Sequence, residues 1–439
     1  MNADSTQEAS VSTRRGLLSI SPAFLFLLIY VGISVIARDF YAMPVTVALL
    51  IASVWGVAIC RGQGLSKRIE TFSQGAANPD ILYMIWIFIL AGAFASLAKG
   101  LGAVDATVAL TFKFFPASFI LPACFFAACL ISFAIGTSVG AVVALMPLTQ
   151  EIALASGAPV PMFVAATLGG AFFGDNLSFI SDTTIAATRT QRCRMSDKFR
   201  ANFAIVMPAA LIALVLYTVL GLDLDVAVPK LEGEWWLTLP YLVVIVTAVA
   251  GINVTLVLLS GILTAIVLGL FLGVGPLACC HMLGDGIDSM GQLIIITMLA
   301  GGMLGIVKAT GGIAFLLRVL TAHLRRRAAA KWCVAGLVSL VNLCTANNTV
   351  AILTVGDVAR SISQRFGISP QKTASILDTC SCIVQCLIPY GAQSLLASGL
   401  AGITPGSMWP YLYYPWILAA TVALSITFNL PREKNASRV

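Results

Sequence analysis

Residues 174–184 read GDNLSFISDTT and are the most informative part of this 439-residue sequence. They follow the apolar run 162–173 and precede a basic loop, so Asp175 and Asp182 both fall inside a segment of membrane-spanning length. An ionised aspartate at the centre of a membrane helix costs about 2.5–3.5 kcal/mol on insertion scales. Because such residues normally face a cavity, a partner or an ion, we expect an interrupted helix beside a polar site.

The composition of the whole chain is that of a membrane protein. Hydrophobic residues make up 59% and charged residues 10%, with a mean hydropathy of +0.95, whereas soluble domains average about 45–50% and about 25%. Charge-free runs at 17–37, 40–60, 235–280 and 379–431 compare with the roughly 20 residues that a transmembrane helix needs. Ten-residue segments of alternating polarity are lacking, so the predicted fold class is an all-α polytopic bundle.

The same composition argues against several classes of function. The net charge is +7, but Lys and Arg fall in short loops between apolar runs, where membrane orientation explains them better than a nucleic-acid partner. The eleven cysteines form no CxxC pair and most lie in apolar segments, so neither a disulfide framework nor a cysteine metal site is predicted. An intramembrane enzyme is not expected either, because HExxH and Gly-x-Gly-Asp motifs are missing.

The sequence resembles itself when it is shifted by about 209 residues. The string KGLG at Lys99–Gly102 then meets KATG at Lys308–Gly311, and Asn176 meets Gln385. Internal duplication of this kind is a property of many membrane transporter folds. The shift places a polar break at the same depth in each half.

Charge asymmetry indicates that the two copies are inverted, because Lys and Arg favour the cytoplasmic side of a membrane. The first half has a basic loop whose counterpart around Gly402 is uncharged; the loop contains Arg189, Arg192, Arg194, Lys198 and Arg200. The uncharged residues 156–161 have a basic counterpart, which contains Arg360, Arg365 and Lys372. Corresponding loops therefore lie on opposite sides.

An inverted repeat of this length predicts about ten crossings and two re-entrant hairpins. We place the hairpins at 116–153 and 332–360, because the runs 332–343 and 349–360 are each too short to cross about 30 Å. Interrupted spans are expected at 162–190 and 373–401. The predicted domains are a polar cytoplasmic N-terminus (1–16), a first transmembrane anchor (17–38), the first inverted repeat (39–234), a linking transmembrane helix (235–252), the second inverted repeat (253–430) and a cytoplasmic C-terminal tail (431–439).

Hydroxyl, amide and carboxylate groups recur at the hairpin tips and at the first interrupted span, and we expect them to bind an ion. A hard cation prefers such oxygen ligands, and unwound backbone would add carbonyl groups. The predicted ion-binding residues are Thr137, Ser138, Asp175, Asn176, Ser178, Asp182, Thr183, Asn347, Asn348 and Thr349, with Asp175 and Asp182 as the charged ligands. Helix capping, a contact of Asp182 with the basic loop, and helix-to-helix hydrogen bonds are the structural alternatives.

The second interrupted span contributes further polar residues. Pro389 and Gly391 loosen the helix there, which frees backbone carbonyls. The predicted residues for substrate or proton coupling are Asp378, Thr379, Gln385, Tyr390 and Gln393. Asp378 lies only about two turns into the segment, so a purely structural role at the interface fits it equally well.

With these motifs, the sequence resembles the NhaC-type sodium/proton antiporter family of the ion transporter superfamily. GDNLSFISDTT is similar to that family's GD-x-x-S-P-x-SDTT signature, with Phe179 in place of Pro; ASILDTCSCIVQCLIPYGAQ (374–393) and TANNT (345–349) extend the likeness over most of residues 40–430. The resemblance implies sodium export in exchange for protons or a solute, with Asp175 and Asp182 at the acidic positions. It also implies an elevator-like motion of hairpins and broken helices against a scaffold.

Our working hypothesis is competition at one carboxylate: ionised Asp175 binds sodium, and protonation releases it. The alternative is sodium-coupled exchange or symport of an amino acid or small carboxylate, held by Asn347, Asn348, Gln393 and Arg189. A channel is not separated from a carrier by sequence. The expected partners are sodium, protons and the lipid bilayer, with an organic solute and a homodimer left open; no cofactor is expected beyond the sodium ion. The expected location is a bacterial inner membrane, with both termini cytoplasmic.

Overall fold

The computed structural model of the protein describes residues 13–37, 42–60, 64–114, 116–179, 181–222, 224, 234–250, 252–321, 324 and 326–431. Within these ranges the secondary structure is helical and contains no β-strand, which confirms the predicted all-α class. Residues 1–12 of the predicted N-terminal segment and residues 432–439 of the predicted C-terminal tail lie outside the described residues.

The first half of the described chain folds into ten α-helices. They are α1 (Thr13–Ala37), α2 (Val45–Ile59), α3 (Leu65–Ala76), α4 (Pro79–Gly100), α5 (Ala103–Phe114), α6 (Ile120–Ile135), α7 (Ser138–Ser156), α8 (Val160–Leu177), α9 (Asp182–Gln191) and α10 (Met195–Leu222).

The second half of the described chain folds into a matching set. Its helices are α11 (Leu239–Val249), α12 (Val254–Phe271), α13 (Pro276–Ser289), α14 (Gly291–Ala309), α15 (Gly312–Thr321), α16 (Arg327–Thr345), α17 (Asn348–Arg365), α18 (Pro370–Leu387), α19 (Ala392–Leu400) and α20 (Tyr413–Thr427). Short 3-10 helices precede α11 at Trp235–Thr238 and α20 at Pro405–Tyr411.

The two sets of helices repeat one another in spacing and in contacts. α2 begins at Val45 and its counterpart α12 at Val254, while α9 begins at Asp182 and its counterpart α19 at Ala392, so the two pairs are separated by almost the same length of chain. Contacts between the halves are reciprocal: α3 packs on α14 and α13 on α4, while α7 packs on α19 and α17 on α9. Such exchanged contacts are those that a two-fold axis produces.

Glycines allow the closest of these reciprocal crossings. A Cβ added to Gly75 on α3 would lie 2.6 Å from the carbonyl oxygen of Gly301 on α14. At the related crossing, a Cβ on Gly92 of α4 would lie 2.3 Å from the carbonyl oxygen of Gly286 on α13. Small residues let membrane helices approach until their backbones touch, so both crossings depend on the missing side chains.

Nine helical segments among the described residues are long and apolar enough to cross a membrane, consistent with the prediction of a polytopic protein. The predicted spans 41–60, 235–251 and 409–429 form shorter helices, whereas the hairpin arms α7 and α16 reach spanning length. The prediction that residues 332–343 are too short to cross the membrane is therefore wrong, because they belong to α16, which has 19 residues and is about 28 Å long. The hairpins are defined by their tips, not by short arms.

The outer surface carries the apolar side chains expected next to lipid. On α10, large hydrophobic side chains are exposed on one side of the helix, while the opposite side is buried; the exposed residues include Leu211, Ile212, Val215 and Val219. Helices with an apolar exterior and polar groups gathered inside are typical of membrane bundles. The polar interior is where α6–α9 and α16–α19 meet.

Candidate ion-binding cavity

Each hairpin turns at its tip through one residue in the left-handed region. Gly136, with φ +71°, directly follows α6, and Ala346, with φ +49°, directly follows α16. The next residues, Thr137 and Asn347, are extended and directly precede α7 and α17. Glycine adopts this backbone conformation freely, whereas alanine there costs about 1–2 kcal/mol. Strain of this kind concentrates at functional sites, and here it lies at the tip of the second hairpin.

The two interrupted spans break at corresponding residues. α8 ends before Ser178 and α9 begins after Ser181, both with extended backbone. In the second repeat, Ile388 and Gly391 have the same conformations at the corresponding positions, between α18 and α19. The helix is thus unwound at the sequence-predicted break, and the two carboxylates of GDNLSFISDTT lie on two separate helices instead of one helical face.

A cavity of about 710 Å³ lies where the two tips and the two breaks meet. The helices α7, α9, α17 and α19 all begin at its wall, and residues of α4 and α14 form another wall. Of the sequence-predicted residues, the cavity is lined by Thr137, Ser138, Asp175, Asp182, Thr183, Asn347, Asn348, Thr349, Gln385, Tyr390 and Gln393. The structure therefore brings both halves of the predicted site to one space.

Asp175 is held at the cavity wall by the tip of the first hairpin. Asp175 is only 4% exposed. The Ser138 backbone N–H donates to Asp175 Oδ1 at 2.9 Å, and the Ser138 hydroxyl donates to Oδ2 at 2.5 Å. Gly174 lets α8 lie close to α6 of the same hairpin, since a Cβ there would lie 2.1 Å from Ser132 Oγ on α6. The carboxylate thus caps the N-terminus of α7, a favourable place for negative charge.

A chain of hydrogen bonds connects Asp175 to the second repeat. Gln393 Nε2 donates to Ser138 Oγ at 3.0 Å, and Gln385 Nε2 donates to Gln393 Oε1 at 3.0 Å. Gln385 Nε2 also donates to the carbonyl of Ala346, at 3.0 Å. All four irregular segments are therefore linked through side chains that end on one carboxylate. A ligand at Asp175 would act on the whole set.

The second carboxylate of the cavity, Asp182, is arranged differently. It is an exposed side chain in the first turn of α9 and borders the cavity. Among the described residues, no Lys, Arg or His nitrogen lies within 4.0 Å of its carboxylate. Asp182 therefore faces the cavity without a salt bridge to the basic loop.

Two of the predicted ion ligands lie behind the cavity wall. Asn176 is fully buried, and its Nδ2 donates to the Phe172 carbonyl at 2.9 Å and to the Tyr414 hydroxyl at 3.2 Å. Ser178 is also buried, and its backbone N–H donates to the Gly174 carbonyl at 2.7 Å. Both residues support the break in the helix from the side away from the cavity.

The carbonyls released by the break are bound by side chains of the protein itself. Lys198 Nζ donates to the Asn176 carbonyl at 2.9 Å and to Thr184 Oγ1 at 2.6 Å, and it lies 2.7 Å from Asp378 Oδ2. Asn202 Nδ2 donates to the same carbonyl at 2.8 Å and to Asp378 Oδ2 at 2.7 Å. The Lys198 and Asp378 side chains are 1% and 0% exposed. This buried ion pair ties α8, α10 and α18 together.

Sequence reasoning placed Lys198 in a basic cytoplasmic loop, and this placement is wrong. Lys198 lies in the first turn of α10, where the carbonyl end of α8 attracts a cation. A signal was present in the sequence: Lys198 and Asn202 are four residues apart at the start of an apolar helix and so share one face. Asp378, predicted to take part in coupling, is this lysine's partner and does not line the cavity.

The other predicted residues of the second interrupted span serve its packing as well as the cavity. Tyr390 donates its hydroxyl to the Leu343 carbonyl at 2.6 Å, and it borders the cavity. Thr379 Oγ1 donates to the Ser375 carbonyl at 2.7 Å within α18, away from the cavity. Arg189, considered as a solute ligand, is exposed on α9 and also lies outside the cavity lining.

The helix bounds also correct the register of the repeat. The counterparts of α8 and α9 are α18 and α19, and each begins one position later than a shift of 209 residues implies. Gln385 is therefore the counterpart of Asp175, and Ala392 is the counterpart of Asp182. The sequence comparison had paired Gln385 with Asn176. Both carboxylates of the cavity therefore come from the first repeat, and neutral residues replace them in the second. The two halves are alike in backbone but not in charge.

The chain matches one family model and several known proteins. A family model described as "Na+/H+ antiporter family" matches residues 6–222 and 230–430. The arginine/ornithine antiporter ArcD of Halobacterium salinarum is 23% identical over 97% of this chain and 94% of its own length. The Na(+)/H(+) antiporter NhaC of Bacillus subtilis is 24% identical over 81% and 85%. A malate-2H(+)/Na(+)-lactate antiporter of the same organism is 21% identical over 89% and 90%. The solved YdaH transporter of Alcanivorax borkumensis aligns with a TM-score of 0.41 and 14% identity, covering 95% of this chain and 99% of that one.

Proposed function

The chain belongs to the Na+/H+ antiporter family, and from this premise we propose that it exchanges sodium for protons at the cavity between its hairpins and interrupted helices. The family places it among multi-pass membrane antiporters. The site within it is our inference. The single observation that carries this inference is a buried carboxylate, Asp175, at the wall of a polar cavity inside a membrane protein.

The proposed chemistry is competition between two cations for Asp175. With Asp175 ionised, sodium binds its carboxylate together with oxygen atoms at the cavity wall, for which Asp182, Thr183 and Thr137 are suitably placed. When a proton binds the carboxylate instead, the charge that holds sodium is lost and the ion leaves. Because one group takes either cation, the two fluxes are coupled in opposite directions.

We further propose that the irregular segments move together as one body. α7 packs on α19 and α17 packs on α9, so each hairpin rests on the interrupted helix of the other repeat. The helices α4 and α14, which form the other wall of the cavity, belong to a second group, because they pack mainly on α13, α2 and α3. Movement of the first group against the second would open the cavity to each side in turn.

This motion is testable with a cysteine at Thr349, in a chain whose exposed Cys280 is replaced by serine. Thr349 lies at the second hairpin tip and lines the cavity, so a membrane-impermeant thiol reagent should reach it from either side, depending on the sodium gradient. Labelling from one side only, under all gradients, would contradict the proposed motion.

The exchange itself is tested by flux in proteoliposomes that contain the purified full chain. A sodium gradient should drive a pH change reported by an enclosed dye, and an equal potassium gradient should drive much less. Proton movement that does not depend on sodium would refute the proposed function. Unitary currents in a planar bilayer would instead indicate a channel.

A second candidate function is exchange that includes an organic solute. The observation in its favour is the cavity volume of about 710 Å³, within the range of small-molecule sites, roughly 300–1,000 Å³. A sodium ion with six waters takes roughly 200 Å³ at about 30 Å³ per water. Repeating the flux assay with amino acids and carboxylates separates the two candidates, because only the second predicts solute-dependent sodium movement. Cytoplasmic termini, an inner-membrane location and a homodimer stay predictions from the sequence.

A further inference from the structure

Among the described residues, the cavity wall has one basic side chain, Lys308, in addition to two carboxylates. Lys308 lies in the last turn of α14 and is exposed. Among the described residues, no carboxylate oxygen lies within 4.0 Å of its ammonium group, and no hydrogen bond from it is formed. A positive charge beside a cation site works against cation binding, so its position calls for a different ligand.

The first repeat shows what this lysine position does when it has a partner. Lys99 is the counterpart of Lys308 in the repeat and lies in the last turn of α4, as Lys308 does in α14. Lys99 Nζ lies 2.5 Å from Glu151 Oε1, on α7 of the first hairpin. In the second repeat the place of Glu151 is taken by Ser361 on α17. The second repeat thus has the lysine without the carboxylate.

A helix-dipole role does not account for this difference. A lysine in the last turn of a helix is favourable by about 0.3–1 kcal/mol whether or not it faces a cavity. That effect applies equally to Lys99 and Lys308. Only Lys308 borders the cavity, and Lys99 does not. The dipole therefore explains a lysine at both places but not an unpaired ammonium group at the proposed binding site.

The cavity next to Lys308 also has an apolar wall that sodium does not need. Ile81 and Met84 of α4, and Ala300 and Leu304 of α14, line it together with Lys308. Small-molecule sites typically combine such an apolar wall with a few polar groups that fix orientation. The carbon skeleton of a small solute could pack against this wall while its charged group reaches the ammonium.

We propose that Lys308 binds the carboxylate of a small organic solute, which occupies the cavity together with sodium. The inference rests on the proposed function, because it takes the same cavity as the transport site. The carboxylate supplies the negative charge that Glu151 supplies to Lys99. Asp175 belongs to the first repeat and Lys308 to the second, so cation and anion would be bound by different residues of one cavity wall. A solute without a carboxylate lacks the group that this position recognises.

The test is equilibrium binding of radiolabelled probes to the full chain in nanodiscs at saturating sodium. The probes are L-lactate, succinate and L-alanine, which are a monocarboxylate, a dicarboxylate and an amino acid; ethanolamine is the control without a carboxylate. At least one carboxylate should bind and ethanolamine should not. The pattern among the three shows whether an amino group or a second carboxylate is also recognised. If no carboxylate binds, the proposal is wrong.

Substitutions then assign the binding to Lys308. For the carboxylate that binds, Lys308→Gln should weaken affinity by about 10- to 100-fold, the range for a lost charge-assisted hydrogen bond. Lys308→Arg should recover most of that loss, and the matched variant Lys99→Gln should leave affinity within about threefold of wild type. If Lys308→Gln and Lys99→Gln weaken binding equally, or if arginine does not rescue, the assignment fails.

Flux through the same purified chain in proteoliposomes, measured beside the nanodisc binding, distinguishes failure of this inference from failure of the proposed function. Sodium-driven proton flux by the wild-type chain without any added solute, combined with no carboxylate binding, would remove the solute site and leave antiport intact. Carboxylate binding without sodium-driven proton flux would refute the antiport and leave the solute site intact.

Discussion

Replacing Asp175 with asparagine separates its charge from its shape. The two side chains have nearly the same volume, so the packing of α8 against the first hairpin is preserved. The Ser138 N–H and hydroxyl, at 2.9 and 2.5 Å, each lose a charged acceptor. A hydrogen bond to a charged group contributes about 1.5–3 kcal/mol and a neutral one about 0.5–1.5 kcal/mol. The asparagine amide has one acceptor oxygen, so the N–H contact becomes a neutral hydrogen bond and the Ser138 hydroxyl instead accepts from the amide nitrogen. Together the two contacts lose roughly 2 kcal/mol, part of which is offset because a buried charge no longer needs to be desolvated.

Sodium binding should fall much further than stability. At an effective dielectric constant of about 20, unit charges about 4 Å apart attract by about 4 kcal/mol, which sets the scale of the loss. The amide oxygen of asparagine recovers a part, so we expect sodium affinity to fall at least about 100-fold, or roughly 2.7 kcal/mol. Asp175→Asn should fold and insert but show almost no sodium-driven proton flux.

The assay is the pH-dye measurement in proteoliposomes, with the amount of inserted protein matched between samples. Asp105→Asn is the control, because Asp105 is an exposed carboxylate on α5 outside the cavity; its flux should equal that of the wild type. Wild-type flux and wild-type sodium dependence in Asp175→Asn would refute the role of the carboxylate, whatever the stability of the variant.

The remaining predictions concern the framework of the cavity. Lys198→Met should destabilise the protein by about 3–5 kcal/mol, because the Asp378 carboxylate is left buried without its cation; the double variant Lys198→Met/Asp378→Leu should recover part of the loss in thermal unfolding, and a double variant less stable than the single one would contradict the pairing. Gly92→Val should lower the melting temperature and reduce membrane expression, since its side chain would meet the Gly286 carbonyl. Gly64→Val is the control, because no atom of the described residues lies within 4 Å of its Cβ position. An equal loss in both variants would argue against the close crossing.

The backbone of the site was largely predictable from the sequence because its irregular points are marked by local chemistry. GDNLSFISDTT carries two carboxylates and hydroxyls inside an apolar segment, and within it one helix indeed ends at Leu177 and the next begins at Asp182. Pro389 and Gly391 mark the second break in the same way. Polar residues inside a membrane segment have few structural explanations, so their position alone is informative.

The partners across the bundle were not predictable. Lys198 reaches Asp378, which belongs to the other half of the chain, and the sequence alone indicated a solvated loop for one and an interface for the other. Charge clustering is a good guide to membrane orientation but not to a single side chain that turns inward toward a freed carbonyl. Similarly, Lys99 meets a carboxylate and Lys308 borders the cavity because different side chains lie opposite them. Which side chain lies opposite is a property of tertiary packing.

We expect sodium to bind at Asp175 in competition with protons, and direct binding of radioactive sodium to the purified chain tests this competition without relying on transport. The wild type should bind sodium saturably, with affinity that weakens as the pH is lowered, and Asp175→Asn should show no saturable binding at any pH. Saturable sodium binding that is unchanged by pH and retained in Asp175→Asn would contradict it.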